Sequence, residues 1–177
     1  MSDRNFLQRI QKAIQSTLEG GSKSEQPEEA VNTVIKQLNV EEQKAVEIVY
    51  KPDEKDAHGE WMSAETIAKG RESYHNNVVV PNLFHLVETD RFEITKSWLL
   101  EEDTDFEVDG ETKTLLKGTW LAETHYTDTA LWELKKSKEL GGLSLGGYGD
   151  RCSETGEITN LCFSAEEYLQ IHKEDEE

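Results

Sequence analysis

The feature that most constrains the fold is a series of short extended segments joined by connections of hairpin length. These segments alternate apolar and polar residues or form short apolar runs, and they cover residues 45–51, 78–80, 92–100, 118–126 and 158–163. Asp109-Gly110 stands between two further extended runs and predicts a tight hairpin turn. Strands outnumber helices, so we predict an α+β domain built on a mostly antiparallel sheet or barrel.

Residues 1–42 are predicted to form a helical extension with a linker. The first helix has an apolar stripe at helical spacing, formed by Phe6, Leu7, Ile10, Ala13, Ile14 and Leu18. Residues 20–28 are rich in Gly, Ser, Glu and Pro, a composition typical of a linker. Pro27 then suits the first turn of a second short helix, whose apolar residues are Ala30, Val31, Val34, Ile35 and Leu38. We expect a globular domain over residues 43–168 and an acidic tail over residues 169–177.

Two helices are predicted inside the globular domain. Ser63 is a suitable N-cap for a helix that continues to about Ser73. Thr127 or Asp128 can cap a second helix that ends near Leu140. This second helix leads directly into a segment rich in glycine.

The charge balance narrows the range of partners. Lys and Arg total 19 against 37 Asp and Glu, which gives a formal net charge of −18. A surface of this sign repels phosphate, so nucleic acid and membranes are not expected as partners.

No apolar run reaches the roughly 18 residues of a membrane helix, and the N-terminus lacks the pattern of a signal peptide. Cys152 and Cys162 lack the spacing of a metal or redox pair. We therefore expect a soluble, cytosolic protein with reduced cysteines, no metal and no cofactor.

A serine between two glycine pairs is the clearest sign of chemistry. The serine loop, Gly141-Gly142-Leu143-Ser144-Leu145-Gly146-Gly147, follows the predicted end of a helix. Glycine lets other backbone approach the serine, so that its Oγ can be exposed while nearby N–H groups point at an incoming carbonyl oxygen, as acyl transfer requires. A tight loop with Gly141 just after a helix cap explains the same pattern, and on spacing alone that explanation is the better one.

Ser144 would need a histidine as its base, and the chain has five. They are His58, His75, His85, His125 and His172. His85 has apolar neighbours that would hold its ring at the edge of a core, although for a lone histidine a partly buried ring bonded to one backbone carbonyl is the safer interpretation. His125 lies on a predicted strand and His58 in a polar loop, which makes both weaker candidates.

Several sequence blocks occur in a recognisable order. They are YKPDEKDAHGEWMS at residues 50–63, NLFH at 82–85, GTW at 118–120, LW at 131–132 and the serine loop. Together they cover roughly residues 44–150 and resemble the XkdF-type phage serine proteases, relatives of the prohead maturation proteases of tailed phages. The resemblance implies a fold similar to the herpesvirus assemblin proteases, a small closed or nearly closed β-barrel ringed by helices. It also implies a histidine that precedes the serine, an order that His85 and Ser144 match.

The resemblance assigns roles to these residues. Ser144 attacks the scissile carbonyl, and His85 removes its proton and returns it to the leaving amine. Candidates for the oxyanion hole are the backbone N–H groups of Leu145, Gly146 and Gly147.

The third catalytic group is Glu166 by order and spacing, with Asp150 and His172 as alternatives. Related prohead proteases carry an acid followed by a proline in this region, and this chain lacks that proline.

The implied function is that of a serine endopeptidase that matures phage proheads. Its substrates would be the phage scaffold and major capsid proteins, and it would act in the host cytoplasm, inside the immature capsid. The first helix would dock onto the scaffold or onto a second copy of the chain, and the domain starting at Gln43 would fold without it. The alternatives are a non-catalytic capsid assembly protein that keeps the protease fold and an acidic adaptor unrelated to proteolysis.

The acidic runs at residues 101–105 and 174–177 lack the glycine and alternating ligands of a calcium loop, so they indicate solvated surface.

Overall fold

The computed structural model describes residues 34–56, 58–77, 79–83, 87–108, 111–141, 143 and 145–174. The strands in these ranges are β1 (Val34–Asn39), β2 (Lys44–Tyr50), β3 (Asn82–Leu83), β4 (Val87–Glu88), β5 (Phe92–Leu99), β6 (Thr104–Val108), β7 (Glu111–Leu115), β8 (Trp120–Tyr126), β9 (Tyr148–Arg151) and β10 (Ile158–Cys162). The helices are α1 (Ala64–Asn76), α2 (Thr129–Lys136) and α3 (Ala165–Glu174). The first predicted helix, His85 and Ser144 lie outside the described residues.

The main sheet has six antiparallel strands in the order β5-β8-β2-β1-β6-β7. This confirms the predicted α+β class with a mostly antiparallel sheet. The closed barrel that the resemblance implied is not found, because no ladder joins the outer strands β5 and β7 within the described ranges. Leu115 of β7 instead packs into an apolar cluster with Val46 and Leu121. Packed side chains, rather than strand pairing between β5 and β7, therefore cover this face of the sheet.

The two faces of the sheet carry different layers. The helical face is formed by Ala45, Glu47 and Val49 of β2 together with Trp120, Ala122, Thr124 and Tyr126 of β8, and it packs against α1 and α2. The opposite face buries Val46, Ile48 and Leu121, and Trp98, Leu100 and Phe106 pack against it. Successive side chains of a strand point to opposite faces. The central strand β2 is therefore buried on both.

The caps of α1 and α2 are those that the sequence predicts. Ser63 Oγ accepts a hydrogen bond from Thr66 N (3.2 Å), and Asp128 Oδ1 accepts one from Leu131 N (2.9 Å). Helix α2 ends at Lys136, earlier than predicted, because the chain turns through a left-handed residue at Lys138 (φ 65°). Gly141 is therefore not the residue that follows the helix cap.

Several predicted strands are confirmed, and two predicted elements are wrong. Strands β2, β5, β8 and β10 match the segments expected from alternation, and β6 and β7 pair on either side of Asp109-Gly110. The predicted helix ending near Leu38 is wrong over residues 34–39, which form β1 between β2 and β6. Backbone pairing on both sides outweighs the helical spacing of its apolar residues. Val79 and Val80 are not in a strand, and β3 begins only after Pro81.

Two consequences follow for the expected domain limits. Strand β1 lies before the boundary placed at residue 43, and its ladders join residues 34–39 to the sheet. Helix α3 runs across the boundary placed after residue 168.

The β9–β10 hairpin lies beside α1 and the segment that precedes it. Trp61 N donates to Gly156 O (3.1 Å), and Ile158 N donates to Trp61 O (2.8 Å). On the other side, Leu161 of β10 packs directly over Gly70 of α1, where a Cβ atom would lie 2.3 Å from Leu161 Cδ2 and 2.7 Å from its Cγ. This close packing fixes the hairpin, and with it Asp150, against the core.

We predict that Gly70→Ala destabilises the protein although alanine is the better helix former. The added methyl group overlaps Leu161, and overpacking of this kind costs about 1–3 kcal/mol, against roughly 1 kcal/mol gained in helix propensity. Urea unfolding measures the difference. In a Leu161→Ala background the same change should be less destabilising, because only the 3.2 Å contact with the Cβ atom of residue 161 remains. Stabilisation of the otherwise unchanged protein by Gly70→Ala would contradict the prediction.

Candidate functional site

The residues around Ser144 are held against the core. Lys135 Nζ donates to Gly141 O (2.6 Å), which fixes the backbone where the serine loop begins. Leu143 packs against apolar clusters beneath both α1 and α2, and Leu145 packs against the α1 cluster. The chain is therefore anchored before and after Ser144.

The backbone after Ser144 passes close to the end of β10. A Cβ atom at Gly147 would lie 2.8 Å from Cys162 O, so only glycine allows this approach without a shift of the backbone. Within the described part of the chain, the N–H groups of Leu145 and Gly146 donate to no protein acceptor. Free N–H groups are what an oxyanion hole requires. The assignment of these groups to an oxyanion hole stays a prediction.

A buried ion pair lies under the start of the serine loop. Glu47 is 0% exposed and Lys135 is 3% exposed, and Lys135 Nζ donates to Glu47 Oε2 (2.6 Å). The hydroxyl of Tyr126 donates to the other carboxylate oxygen (2.9 Å). Burial, together with the neighbouring carboxylate, raises the pKa of the Tyr126 hydroxyl, so this group stays protonated and acts as a donor. This network was not predicted from the sequence.

Asp150 and His172, the two alternatives for the third catalytic group, are in contact. Asp150 Oδ1 lies 3.1 Å from His172 Nε2 and accepts a hydrogen bond from Tyr168 OH (2.6 Å), while Oδ2 accepts one from Asn160 Nδ2 (2.7 Å). The Tyr168 hydrogen bond is the main cause that holds the pKa of Asp150 below its ordinary value of 3.8. Asp150 is therefore an ionised, oriented carboxylate three residues beyond the serine loop.

Glu166 and its neighbour Glu167 occupy different environments in the first turn of α3. Glu166 is exposed to solvent. Glu167 is half-buried and accepts hydrogen bonds from Asn77 Nδ2 (3.1 Å) and from the Ser73 hydroxyl. Helix α3 was not predicted, although Ser164 followed by Glu167 matches a capping box, and Ser164 Oγ does accept a hydrogen bond from Glu167 N (3.4 Å).

The described histidines differ in their position relative to the helical face. His125 lies on the opposite face of β8, with Nδ1 3.0 Å from Glu93 Oε1. His58 lies in an exposed turn, and His75 lies at the exposed end of α1. For His85, the structure describes only the strands on either side, in which Asn82 pairs with Glu88 and Leu83 with Val87. Since Leu143 and Leu145 pack on the helical face, the sheet separates His125 from the serine loop.

Metal-binding clusters and membrane-spanning helices are both absent from the described residues. Among the described residues, no group of three or more His, Cys, Asp or Glu side chains is arranged to hold a metal ion. None of the helices in the described ranges has the length and apolar character needed to cross a bilayer.

Comparison with known proteins identifies the family. A family model described as "Putative phage serine protease XkdF" matches residues 30–153. The chain belongs to this family. It is 29% identical over 149 residues to the phage-like element PBSX protein XkdF of Bacillus subtilis (strain 168), covering 82% of this chain and 52% of that protein. It is 34% identical over 123 residues to the uncharacterized protein YqbD of the same strain, covering 69% of this chain and 37% of that protein. The chain thus spans about half or less of the length of these relatives, and no solved structure matches it.

We predict that Tyr168→Phe raises the pKa of Asp150 towards 3.8, because the main hydrogen bond to the carboxylate is lost. The pKa of Asp150 is lower in the folded than in the unfolded protein, so the bond stabilises the protein above about pH 4. This stabilisation is lost as the pH falls through the folded pKa. The variant should therefore be less stable than the unchanged protein at pH 7 and equally stable at low pH. Carbon NMR titration of Asp150 and urea unfolding at both pH values measure these effects.

The matched control for this prediction is Tyr148→Phe. Tyr148 stacks on Tyr168, with ring centroids 5.9 Å apart, and its change leaves the Tyr168 hydroxyl in place. An Asp150 pKa that stays the same in Tyr168→Phe, or that moves equally in both variants, would show that the Tyr168 bond is not the cause.

Proposed function

We propose that this chain is the protease part of a phage endopeptidase that acts during prohead maturation, with Ser144 as its nucleophile. The observation that carries the proposal is membership in the XkdF family, whose matched region, residues 30–153, contains both Ser144 and His85. The anchored backbone on both sides of Ser144 supports it, because a nucleophile has to be held in a defined position to react.

The reaction would follow the general course of serine acyl transfer. The Oγ atom of Ser144 attacks the scissile carbonyl carbon while His85 accepts the hydroxyl proton, and this proton then passes to the leaving amine. Water, deprotonated by the same histidine, hydrolyses the acyl-enzyme ester and restores Ser144. The N–H groups of Leu145, Gly146 and Gly147 are the proposed oxyanion donors. Loss of one such donor typically lowers kcat by about 10²–10³-fold.

The third group would orient the base, and two assignments are carried forward. Glu166 has the expected order in the chain. Asp150 has the support of the described contacts, since it is ionised, is held by Tyr168 and Asn160, and lies 3.1 Å from the Nε2 atom of a histidine, His172. An acid that is ordered by neighbours before substrate binds is better suited to orient a base than a solvated one.

The proposed substrates are the phage scaffold and major capsid proteins, with action inside the immature capsid in the host cytoplasm. The competing proposal is a non-catalytic assembly protein that keeps this fold and associates with the scaffold or with a second copy of the chain. The two proposals differ in whether Ser144 reacts with an acylating or phosphonylating reagent.

We predict that a fluorophosphonate probe labels Ser144 and that Ser144→Ala abolishes both labelling and cleavage of the neighbouring scaffold and capsid proteins. His85→Ala should lose both activities as well, because the hydroxyl would have no base. For the unchanged protein, cleavage should rise with pH through a value near 6.5, the ordinary pKa of a histidine that must be neutral to accept a proton. Intact-mass spectrometry measures labelling and cleavage.

Two variants serve as controls. Ser153→Ala removes an exposed hydroxyl from the β9–β10 turn, and His125→Ala removes the histidine on the opposite face of the sheet. Both should retain labelling, cleavage and the same pH profile. Labelling that survives in Ser144→Ala would remove Ser144 as the nucleophile, and a folded, unreactive native protein would favour the assembly protein.

The third-group assignment is tested by comparing Asp150→Asn with Glu166→Gln. Each change keeps the shape of the side chain and removes its negative charge. If Asp150 orients the base, Asp150→Asn lowers kcat by orders of magnitude with little change in KM, and Glu166→Gln is close to the unchanged protein. The reverse pattern would assign the role to Glu166.

A further inference from the structure

The buried ion pair under the serine loop has no part in the proposed bond-making steps. Glu47 lies in the middle of β2, and Lys135 lies in the last turn of α2. Withdrawing two charges from water is costly, and apolar side chains of similar volume often fill such a site with equal or greater stability. Fold stability alone therefore does not explain the pair.

The hydrogen bonds of Lys135 offer an explanation. An ammonium group has three N–H donors. One is given to Glu47 Oε2 and another to the backbone carbonyl of Gly141, both at 2.6 Å. An apolar side chain at position 135 could not hold that carbonyl. The ion pair thus supplies a buried, charged donor to the first residue of the serine loop.

This contact lies three residues before Ser144. Three residues span at most about 10 Å, so the fixed Gly141 carbonyl is close along the chain to the candidate nucleophile. The turn leading to Gly141 is itself closed by a bond from Leu140 N to Leu134 O (3.0 Å). Beyond Gly141, Leu143 and Leu145 pack on the core and restrict the chain further.

We infer that Lys135 is a positioning residue that holds the serine loop through the Gly141 carbonyl, and that Glu47 pairs with Lys135 and orients it for this purpose. The link to catalysis rests on the proposed function, whereas the anchoring of the loop does not. Charged donors form stronger hydrogen bonds than neutral ones, and the Lys135 side chain is itself shielded from water.

The test replaces the whole network by apolar residues in the 177-residue chain. The triple variant Glu47→Leu, Tyr126→Phe, Lys135→Met leaves no unpaired charge or hydroxyl behind, so it should fold. Backbone order parameters from nitrogen NMR relaxation should fall in residues 141–147 and stay the same in β2 and β8. Labelling of Ser144 by the fluorophosphonate probe should slow at least tenfold, and the loss in kcat should exceed any change in KM.

The matched control is Tyr126→Phe alone, which keeps the bonds from Lys135 to Glu47 and to Gly141. It should retain the loop order parameters and the labelling rate of the unchanged protein. A folded triple variant with unaltered order parameters in residues 141–147 would overturn the inference. If the unchanged protein is not labelled at all, the proposed function fails, and the order parameters still decide whether Lys135 anchors the loop.

A second measurement on the unchanged protein covers the case in which the triple variant does not fold. Nitrogen NMR should detect slowly exchanging ammonium protons on Lys135 and a coupling through the hydrogen bond between its Nζ and the Gly141 carbonyl carbon. Rapid exchange of these protons, or absence of the coupling, would overturn the inference.

Discussion

The arrangement of sheet and helices depends on one charged group in the middle of the main sheet. Glu47 lies on β2 between Ala45 and Val49, on the face that packs against the helices, and is 0% exposed. An unpaired carboxylate there would be far more costly than any single apolar contact could offset. Lys135 of α2 compensates the charge, and Tyr126 of β8 donates a further hydrogen bond to it. Any packing of α2 that moves Lys135 away is therefore strongly disfavoured, and the register of α2 on the sheet follows.

A second set of contacts, made by the Ser73 hydroxyl, fixes the position of Asp150 relative to the sheet. Ser73, buried near the end of α1, accepts a hydrogen bond from Phe163 N (2.8 Å) and donates one to Glu167. One hydroxyl thus fixes the end of β10 and the start of α3 relative to α1. Since α3 carries Tyr168 and His172, its position decides whether both can reach Asp150 on β9. The contacts of Asp150 are in this way a consequence of core packing rather than of a local motif.

The local sequence predicted those elements whose cause is local. Alternation predicted β2, β5 and β8, and the caps Ser63 and Asp128 predicted where two helices begin. Residues 34–39 were predicted wrongly, because their strand conformation comes from pairing with β2 and with β6, which lies far along the chain. Helix α2 ends early because its last turn is followed by the left-handed residue Lys138 and by a hydrogen bond from Leu140 N to Leu134 O. The spacing of apolar residues does not indicate either feature.

The parts of the candidate site that are visible in the local sequence were predicted, and the parts that depend on distant contacts were not. A glycine-flanked serine and a histidine earlier in the chain are visible in the sequence, and the family match covers both. The pair of Glu47 with Lys135 is not visible, because 88 residues separate the two and each resembles an ordinary surface charge in a chain of net charge −18. In such an acidic chain, sequence alone cannot single out the carboxylates that are buried or bonded. Glu47 and Asp150 differ from the solvated carboxylates in the hydrogen-bond donors around them. Lys135 and Tyr126 donate to Glu47, and Tyr168 and Asn160 donate to Asp150. Only the folded chain brings these donors together.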